Sequence, residues 1–162
     1  MVHIFTDGSS CGRRIGPGGW SFVVVKRRSD DWVVTYHQFG GQTIATNNQM
    51  ELMGPIQAIK WLHRTKLEQA TIISDSQYVL KGITEWVHGW KRNGWRSSSG
   101  SEVLNKELWQ QLYALKQGLD IEWKWVRGHA GNQFNELADK LAKQGKEQYL
   151  NKEKRNVKAK TY

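Results

Sequence analysis

Residues 2–10 read Val-His-Ile-Phe-Thr-Asp-Gly-Ser-Ser, an apolar and β-branched start followed abruptly by an acid, a glycine and two serines. This pattern predicts a strand over Val2–Thr6 that runs into a loop at Asp7. The segment Ala70–Ser74, followed directly by Asp75, has the same form. If the two strands are parallel neighbours, both carboxylates face one crevice, because ligands of open α/β sheets bind beyond the carboxyl ends of the strands. Each acid alone could cap a turn, but the two together favour a cation site.

Strand and helix patterns alternate along the rest of the chain. Two runs rich in apolar residues, Trp20–Val25 and Trp32–Phe39, flank a polar turn and predict an antiparallel hairpin. Alternation predicts a further strand over Ile121–Val126. The order β-β-β-α-β-α-α-β-α indicates one α/β domain in which helices pack on a mixed sheet. Apolar residues at helical spacing predict the helices, over residues 50–63, 77–86, 103–115 and from about 134 onwards. Thr46-Asn47-Asn48 is the predicted start of the first helix.

Two details of these helices are specific expectations. Gly54-Pro55 interrupts the first helix, and because proline lacks a backbone donor we expect a kink or a shifted helix start. In the third helix, Leu104 is expected on the apolar face together with Leu108 and Leu112.

Composition excludes several classes of protein. Lys and Arg number 24 against 15 Asp and Glu among 162 residues, a formal charge of +9, so a polyanion is the first expected partner. A hydrophobic share of 38% with nine Trp is too high for a disordered chain. The single Cys11 cannot form an intramolecular disulfide, and no apolar run approaches the roughly 18 residues of a membrane span. We therefore expect a cytoplasmic protein without a membrane partner.

The positive charge is concentrated in two segments. Residues 143–160 contain seven Lys and Arg against two Glu, and the last dozen residues have few apolar side chains. We predict one domain over residues 1–147 and a basic, flexible tail over 148–162, for which a solvated segment without a dedicated partner is an equally common explanation. The second segment interleaves cations with indoles that are expected to be exposed, as surfaces that track a phosphodiester backbone do. This basic protrusion consists of Trp90, Lys91, Arg92, Trp95 and Arg96.

Two further acids and a histidine complete the candidate site. Glu51 lies near the start of the first helix, where interaction with the helix dipole is the ordinary explanation for an acid. Asp139 lies on the last helix, about 130° from the middle of its apolar stripe and so near the edge of the buried face. Carboxylates suit Mg²⁺ or Mn²⁺, whereas the sequence has no Cys and His cluster at zinc spacing. His129 lies in a glycine-flanked loop and is suited to moving protons near neutral pH.

Five blocks of sequence are specific in combination. They are Phe5-Thr-Asp-Gly-Ser9, Thr46-Asn-Asn-Gln-Met-Glu-Leu52, Ser74-Asp-Ser-Gln-Tyr78, residues 82–95, and Gly128-His-Ala-Gly131 with Asn135-Glu-Leu-Ala-Asp139. In this order and spacing they resemble type 1 ribonuclease H, the ribonuclease HI family, over nearly the whole chain. The resemblance implies the ribonuclease H-like fold, an α/β fold with a mixed five-stranded sheet and helices on both faces. It also makes residues 1–147 the catalytic domain.

The resemblance implies an activity as well. The expected enzyme is an endoribonuclease that hydrolyses the RNA strand of RNA–DNA hybrids without strong sequence specificity and leaves 5′-phosphate and 3′-hydroxyl ends. Two Mg²⁺ ions, for which Mn²⁺ can substitute, would activate the attacking water and stabilise the leaving 3′ oxygen. His129 would assist proton transfer or product release. The implied metal ligands are Asp7, Glu51, Asp75 and Asp139.

Substrate contacts are implied residue by residue, and a monomer without an obligate protein partner is expected. Thr46 and Asn105 would form a pocket for a phosphate of the DNA strand, and Trp86 would contact a DNA sugar. The basic protrusion matches the family's substrate-binding protrusion. The RNA strand would be contacted from the minor groove, where 2′-hydroxyls distinguish RNA from DNA. The residues implied there are Gly8, Ser9, Asn47, Asn48 and Gln77.

The chain departs from the family pattern in three places. Arg13 and Arg14 occupy a loop where smaller polar residues are usual. Ile44 stands where some relatives carry a basic residue, so a weaker DNA-phosphate pocket is expected. No amino-terminal hybrid-binding module is recognised, so processivity from that source is not expected.

Two other functions fit part of the sequence. A non-catalytic nucleic-acid-binding module needs only the +9 charge and the tryptophans, but it gains nothing from acids clustered beside phosphates. A DNA-directed nuclease of the same superfamily, such as a resolvase or integrase core, is disfavoured by Asn47, Asn48 and Gln77.

Overall fold

The computed structural model describes the backbone of residues 1–161 and the side chains of residues 1–156 and 158. A five-stranded sheet lies at its centre, and helices pack against it. The strands are β1 Val2–Ser9, β2 Gly18–Arg28, β3 Asp31–Gln42, β4 Gln69–Ser74 and β5 Asp120–Trp125. The helices are α1 Asn47–Arg64, α2 Gln77–Lys81, a π-helical turn Gly82–Trp86, α3 Val87–Arg92, α4 Lys106–Leu115 and α5 Gln133–Thr161.

The sheet has the order β3-β2-β1-β4-β5, with β1 antiparallel to β2 and parallel to β4. Thr6 of β1 lies opposite Ser74 of β4, so the acids that follow them, Asp7 and Asp75, emerge at the same edge. The prediction that Asp7 follows the end of its strand is wrong. Pairing with β2 continues to Ser9, and Asp7 lies within β1 opposite Ser21.

Side chains alternate between the two faces of the sheet and form two cores. Ile4, Phe22 and Ile72 belong to the larger core on the α1 face, which also contains the buried residues of α2 and α4. Their sequence neighbours Phe5 and Val23 belong to the smaller core under α5. The mixed sheet with helices on both faces is therefore confirmed.

Helix α1 begins at its cap and continues through its proline. The Thr46 hydroxyl accepts a hydrogen bond from the Gln49 backbone at 3.1 Å, and the Gln49 side chain accepts one from the Thr46 backbone at 3.0 Å. This capping box sets the start at Asn47, so Pro55 does not shift the start of the helix, and the alternative expectation of a kink stays a prediction. The neighbouring Gly54 lies so close to Thr6 and to the Ser21 carbonyl that a side chain there would be crowded.

The third predicted helix is shorter than expected, because Asn105 adopts a left-handed backbone conformation, with a φ of 60°. That conformation does not continue a right-handed helix, and α4 begins only at Lys106. Leu104, expected on the apolar face, lies outside α4 and is 75% exposed. The predicted helix over residues 77–86 instead extends to Arg92 through the π-helical turn.

Helix α5 continues past the predicted domain boundary at residue 147 and ends at Thr161. It packs tightly on the sheet at Gly145, which lies against the Gly40 carbonyl of β3. Flexibility of residues 148–162 stays a prediction, and Tyr162 lies outside the described residues. Among the helices described, none combines the length and apolarity that crossing a membrane requires.

Two glycines in helices test whether packing or helix propensity dominates. Alanine normally stabilises a helix interior by about 1 kcal/mol relative to glycine. We expect Gly145→Ala to destabilise the protein by roughly 1–3 kcal/mol instead, because its Cβ would collide with the β3 backbone. Gly89→Ala in α3, where a Cβ meets nothing within 4 Å, should be neutral or stabilising. Urea unfolding of both variants measures the difference, and a stabilised Gly145→Ala would contradict the packing described.

Candidate active site at the carboxyl edge of the sheet

Three of the predicted acids converge at one edge of the sheet. Asp7, Glu51 and Asp75 each present a carboxylate oxygen, and these oxygens lie within 4.8 Å of one another. Asp7 and Glu51 are only 4% and 6% exposed. The three acids come from three different elements, namely β1, the first turns of α1 and the residue after β4. Their convergence is therefore a product of the tertiary structure.

Gly8 is what allows α1 to approach β1 so closely. A Cβ at this position would collide with the backbone of Met50 and Glu51. The close approach places Glu51 directly beside Asp7, while the Gly8 backbone donates a hydrogen bond to Asp7 Oδ1 at 2.9 Å. Gly8, predicted as an RNA contact, thus also has a packing role in the acid cluster.

Burial and mutual repulsion raise the pKa values of the three acids. Burial, followed by the negative charge of Asp75, raises the pKa of Asp7 to about 7. Burial and then the charge of Asp7 raise the pKa of Glu51 well above its ordinary value. Burial also raises the pKa of Asp75, although a hydrogen bond from Asn135 and the nearby His129 oppose this rise. Without a cation, the cluster therefore holds protons more firmly than free carboxylates do.

The cluster fits a divalent cation. Buried Glu51 Oε2 has no hydrogen-bond partner among the described residues, although a buried carboxylate oxygen is normally paired. Several carboxylate oxygens and no thiolate are the donor set that hard cations such as Mg²⁺ and Mn²⁺ prefer. A cation at this position would satisfy the unpaired oxygen and offset the repulsion.

Asp139 lies beside the cluster but is not one of the three converging acids. It is near enough for its negative charge to raise the pKa of both Asp7 and Asp75. Its carboxylate forms an ion pair with Lys143 one turn along α5, at 3.0 Å. Its side chain is 25% exposed, in agreement with its expected place at the edge of the buried face.

The loop before α5 closes the site on one side. Its Gly128 lies against Asp75, and a Cβ there would stand 2.9 Å from Asp75 Oδ2. His129, the histidine predicted to move protons, follows with a φ of 55° and is close enough for its charge to act on Asp75. Asn132 Oδ1 accepts hydrogen bonds from the backbones of Phe134 and Asn135, each at 3.0 Å, and so caps α5.

Sequence reasoning did not single out Asn135 as a site residue, although it lies in one of the five sequence blocks. Asn135 is 3% exposed and its side chain hydrogen-bonds Asp75, which lowers the pKa of that acid. Its Oδ1 has no partner among the described residues. The signal available in the sequence was a polar residue on the first turn of a predicted helix that also carries a candidate metal ligand.

Each residue predicted to contact an RNA strand lies within four positions of a clustered acid along the chain. Asn47 and Asn48 are exposed in the first turn of α1, four and three positions before Glu51, and therefore lie on the same side of the helix. Gln77 is exposed two residues after Asp75, at the first position of α2. Ser9 is buried at the end of β1, so its predicted contact would have to be made by the backbone.

Two of the residues predicted for the DNA strand, Thr46 and Asn105, are linked by hydrogen bonds through Gln49. Gln49, which forms the capping box with Thr46, donates to Asn105 Oδ1 at 3.4 Å. The amide of Asn105 in turn donates to the Tyr78 hydroxyl at 3.1 Å. Thr46 and Asn105 are thus held near each other, and Ile44 in the adjoining loop is 66% exposed. Trp86 is exposed and packs edge-on against Tyr78.

The expectation that the indoles of the basic protrusion are exposed is wrong. Trp90 and Trp95 are half-buried and pack on each other with ring centroids 6.4 Å apart. Trp90 also packs against the fully buried Trp109, which makes both indoles an extension of the larger core. All three cations, Lys91, Arg92 and Arg96, are exposed, so the protrusion is a basic surface on an aromatic base.

Comparison with known proteins identifies the family. The model of the RNase H family matches residues 1–147. The chain belongs to the ribonuclease H family. A ribonuclease H of Acidovorax sp. (strain JS42) is 51% identical over 152 residues, which cover 93% of this chain and 97% of that protein. This identity over nearly the full length supports ribonuclease H activity, and the family implies dependence on a divalent metal.

Solved ribonuclease H structures share the fold. LC9-RNase H1, a type 1 RNase H with the type 2 active-site motif, is 33% identical with a TM-score of 0.82, covering 91% of this chain and 72% of its own. LC11-RNase H1, whose structure is a complex with an RNA/DNA hybrid, is 18% identical with a TM-score of 0.69, covering 93% of this chain and 99% of its own. The latter likeness is one of fold.

The raised pKa of Asp7 predicts how metal-free stability depends on pH. The folded carboxyl titrates near 7 and the unfolded one near 3.8, so the folded state binds the proton more tightly and stability is lost as pH rises between these values. Without metal at pH 8, Asp7→Asn should therefore raise the free energy of unfolding by roughly 2–4 kcal/mol, and near pH 4 the gain should vanish.

Thermal melts in EDTA at both pH values measure this effect. Asp120→Asn is the matched control, because that acid is exposed at the opposite end of the sheet. A gain for Asp7→Asn that is equal at both pH values, or equal to that of the control, would contradict the electrostatic account.

Proposed function

We propose that this protein is an endoribonuclease that hydrolyses the RNA strand of RNA–DNA hybrids, without strong sequence specificity, and leaves 5′-phosphate and 3′-hydroxyl ends. The observation that carries the proposal is the convergence of Asp7, Glu51 and Asp75 beside exposed amide side chains. Membership of the ribonuclease H family supports it. So does the hybrid bound to the fold relative LC11-RNase H1.

The acids are proposed to hold two Mg²⁺ ions, with Asp139 as the fourth ligand. When bound, these ions would make a water molecule nucleophilic and offset the charge on the leaving 3′ oxygen. Mn²⁺, which prefers the same oxygen ligands, would substitute. Asp139 would exchange its ion pair with Lys143 for this role, since its partly exposed position on α5 leaves the carboxylate accessible.

The remaining residues orient the reaction. The hydrogen bond from Asn135 favours the ionised form of Asp75, which a ligand must adopt. Burial of Asp7 and Glu51 keeps bulk water from competing for their oxygens. His129 lies on a loop beside Asp75, where its imidazole can take up or release a proton as the products leave.

Specificity for RNA is proposed to come from the amide-bearing residues. Asn47, Asn48 and Gln77 can both donate and accept hydrogen bonds, as recognition of a 2′-hydroxyl requires. The backbones of Gly8 and Ser9 would add contacts. Thr46, Asn105 and Trp86 would hold the DNA strand, and the cations of the basic protrusion would bind its phosphates. A monomeric state and a cytoplasmic location stay predictions from the sequence.

Substitution of one acid tests the proposed chemistry. Asp75→Asn should lower the rate of cleavage of a labelled RNA–DNA hybrid at least about a hundredfold, because removal of a ligand costs more than removal of a residue that only supports one. Asp120→Asn, at the far end of the sheet, should cleave like the parent. Parallel assays on duplex DNA and with EDTA separate this function from a DNA nuclease and from a simple binding module. An Asp75→Asn variant that cuts hybrid at the parental rate would overturn the site.

Thermal stability tests metal binding independently of activity. Mg²⁺ that binds only the folded protein should raise its stability by about 2.7 kcal/mol at a concentration one hundred times the Kd. Asp7→Asn should reduce this increment, whereas Asp120→Asn should retain it. An unchanged melting temperature at saturating Mg²⁺ would exclude the acid cluster as a cation site.

A further inference from the structure

The extension of α5 beyond the residues that match the family is charged unevenly. At about 100° per residue, Lys154 and Lys158 lie about 40° apart, on the side of the helix that also carries Lys143. Lys152 points about 160° away from Lys154, and Glu153 lies about 100° from each of them. The exposed Arg155 lies about 60° from Lys158, so the side that carries Lys154 and Lys158 is the more positive side of the extension.

This extension lies against the loop between β1 and β2. Lys146 Nζ donates a hydrogen bond to the Ser10 carbonyl at 3.3 Å. Further along, Leu150 and Glu153 of the helix line a cavity of about 150 Å³ together with Arg14 of the loop. The loop is the one in which Arg13 and Arg14 depart from the family pattern, and both are exposed. The loop and the helix thus lie next to each other, and we call their exposed cations Arg13, Arg14, Lys154 and Lys158 the α5 basic surface.

The α5 basic surface is free to bind an anion and shares a helix with the acid site. All four side chains are exposed, and none forms an ion pair with any residue that the structure describes. The same helix contributes Asp139, from which Lys154 and Lys158 are about 22 and 28 Å distant at about 1.5 Å per residue. A continuous helix therefore links these cations to the proposed point of cleavage.

We propose that the α5 basic surface binds the phosphate backbone of the duplex whose strand is cut at the acid cluster, about six to eight base pairs from the cleaved phosphate at about 3.4 Å per pair. This inference rests on the proposed function and adds a substrate contact to it. Clustered carboxylates repel a phosphate, so attraction must come from cations outside the cluster. The basic protrusion supplies such cations on α3 and just after it, and the α5 basic surface supplies them on the opposite face of the sheet.

Hybrid binding as a function of salt tests the proposal. The double variant Lys154→Gln/Lys158→Gln retains good helix formers and removes two charges. In EDTA, where nothing is cut, the Kd for a hybrid of about 30 base pairs should rise roughly tenfold at low salt. The slope of log Kd against log salt should fall by about one for each lysine that no longer neutralises a phosphate. Fluorescence anisotropy of a labelled hybrid measures both quantities.

Two controls separate a specific contact from a general effect of charge. The single variants Lys152→Gln and Lys154→Gln remove the same charge from opposite sides of the helix, and only Lys154→Gln should lower the slope. The second control changes the substrate. A hybrid stem of about six base pairs, closed by an uncharged linker, cannot reach Lys158 and should bind the double variant almost as it binds the parent.

Equal slopes for the parent and the double variant would overturn the inference, and so would an equal decrease with Lys152→Gln. Cleavage of the long hybrid in Mg²⁺ is measured alongside. A protein that binds as expected but does not cut would contradict the proposed function, whereas one that cuts with unchanged salt dependence would contradict only the role of the α5 basic surface.

Discussion

Mutual repulsion among three clustered carboxylates, two of them buried, is the constraint around which this structure is organised. Asp7, Glu51 and Asp75 lie within 4.8 Å of one another, and burial strengthens their repulsion. The parallel pairing of β1 with β4 holds two of them at one edge, and the close approach of α1 at Gly8 adds the third. Such a cluster is unfavourable for the metal-free fold, and its raised pKa values reflect that cost. A divalent cation bound by the carboxylates would offset this repulsion. The same ion would therefore both stabilise the fold and take part in the reaction.

The net charge of +9 conceals how the charges are arranged. The acids occupy the centre, while exposed cations lie in the basic protrusion on one side and along the extension of α5 on the other. A phosphate backbone is attracted by the periphery, and a metal ion that screens the carboxylates lowers the repulsion it meets at the centre. Acids are the minority charge in this basic protein, and their clustering at the centre therefore indicates a cation site.

The tryptophans of the basic protrusion contribute to the core as well as to the surface. Trp90 and Trp95 pack toward the buried Trp109, whose indole nitrogen donates to the Tyr78 hydroxyl at 3.0 Å. That hydroxyl also accepts the hydrogen bond from Asn105, so the proposed DNA-strand pocket is supported by the core itself. The π-helical turn begins at Gly82, which lies directly against the ring of Trp109 in the same aromatic cluster. A surface predicted from charge and indoles is in fact a charged layer on a structural aromatic cluster.

Much of the fold could be predicted from local patterns, because strand alternation, helical spacing and caps depend on residues close together in sequence. The two strands that lead to Asp7 and Asp75, the capped start of α1 and the α/β class all belong to this group. Other features depend on contacts between distant residues: the convergence of Glu51 with the two aspartates, the contact of Asn135 with Asp75, the left-handed Asn105 that shortens α4, and the burial of Trp90. The sequence by itself determined which acids are available and on which elements they lie. Only the tertiary structure decided their distances, burial and pKa values, because these depend on how closely the backbones of separate elements approach one another at positions such as Gly8.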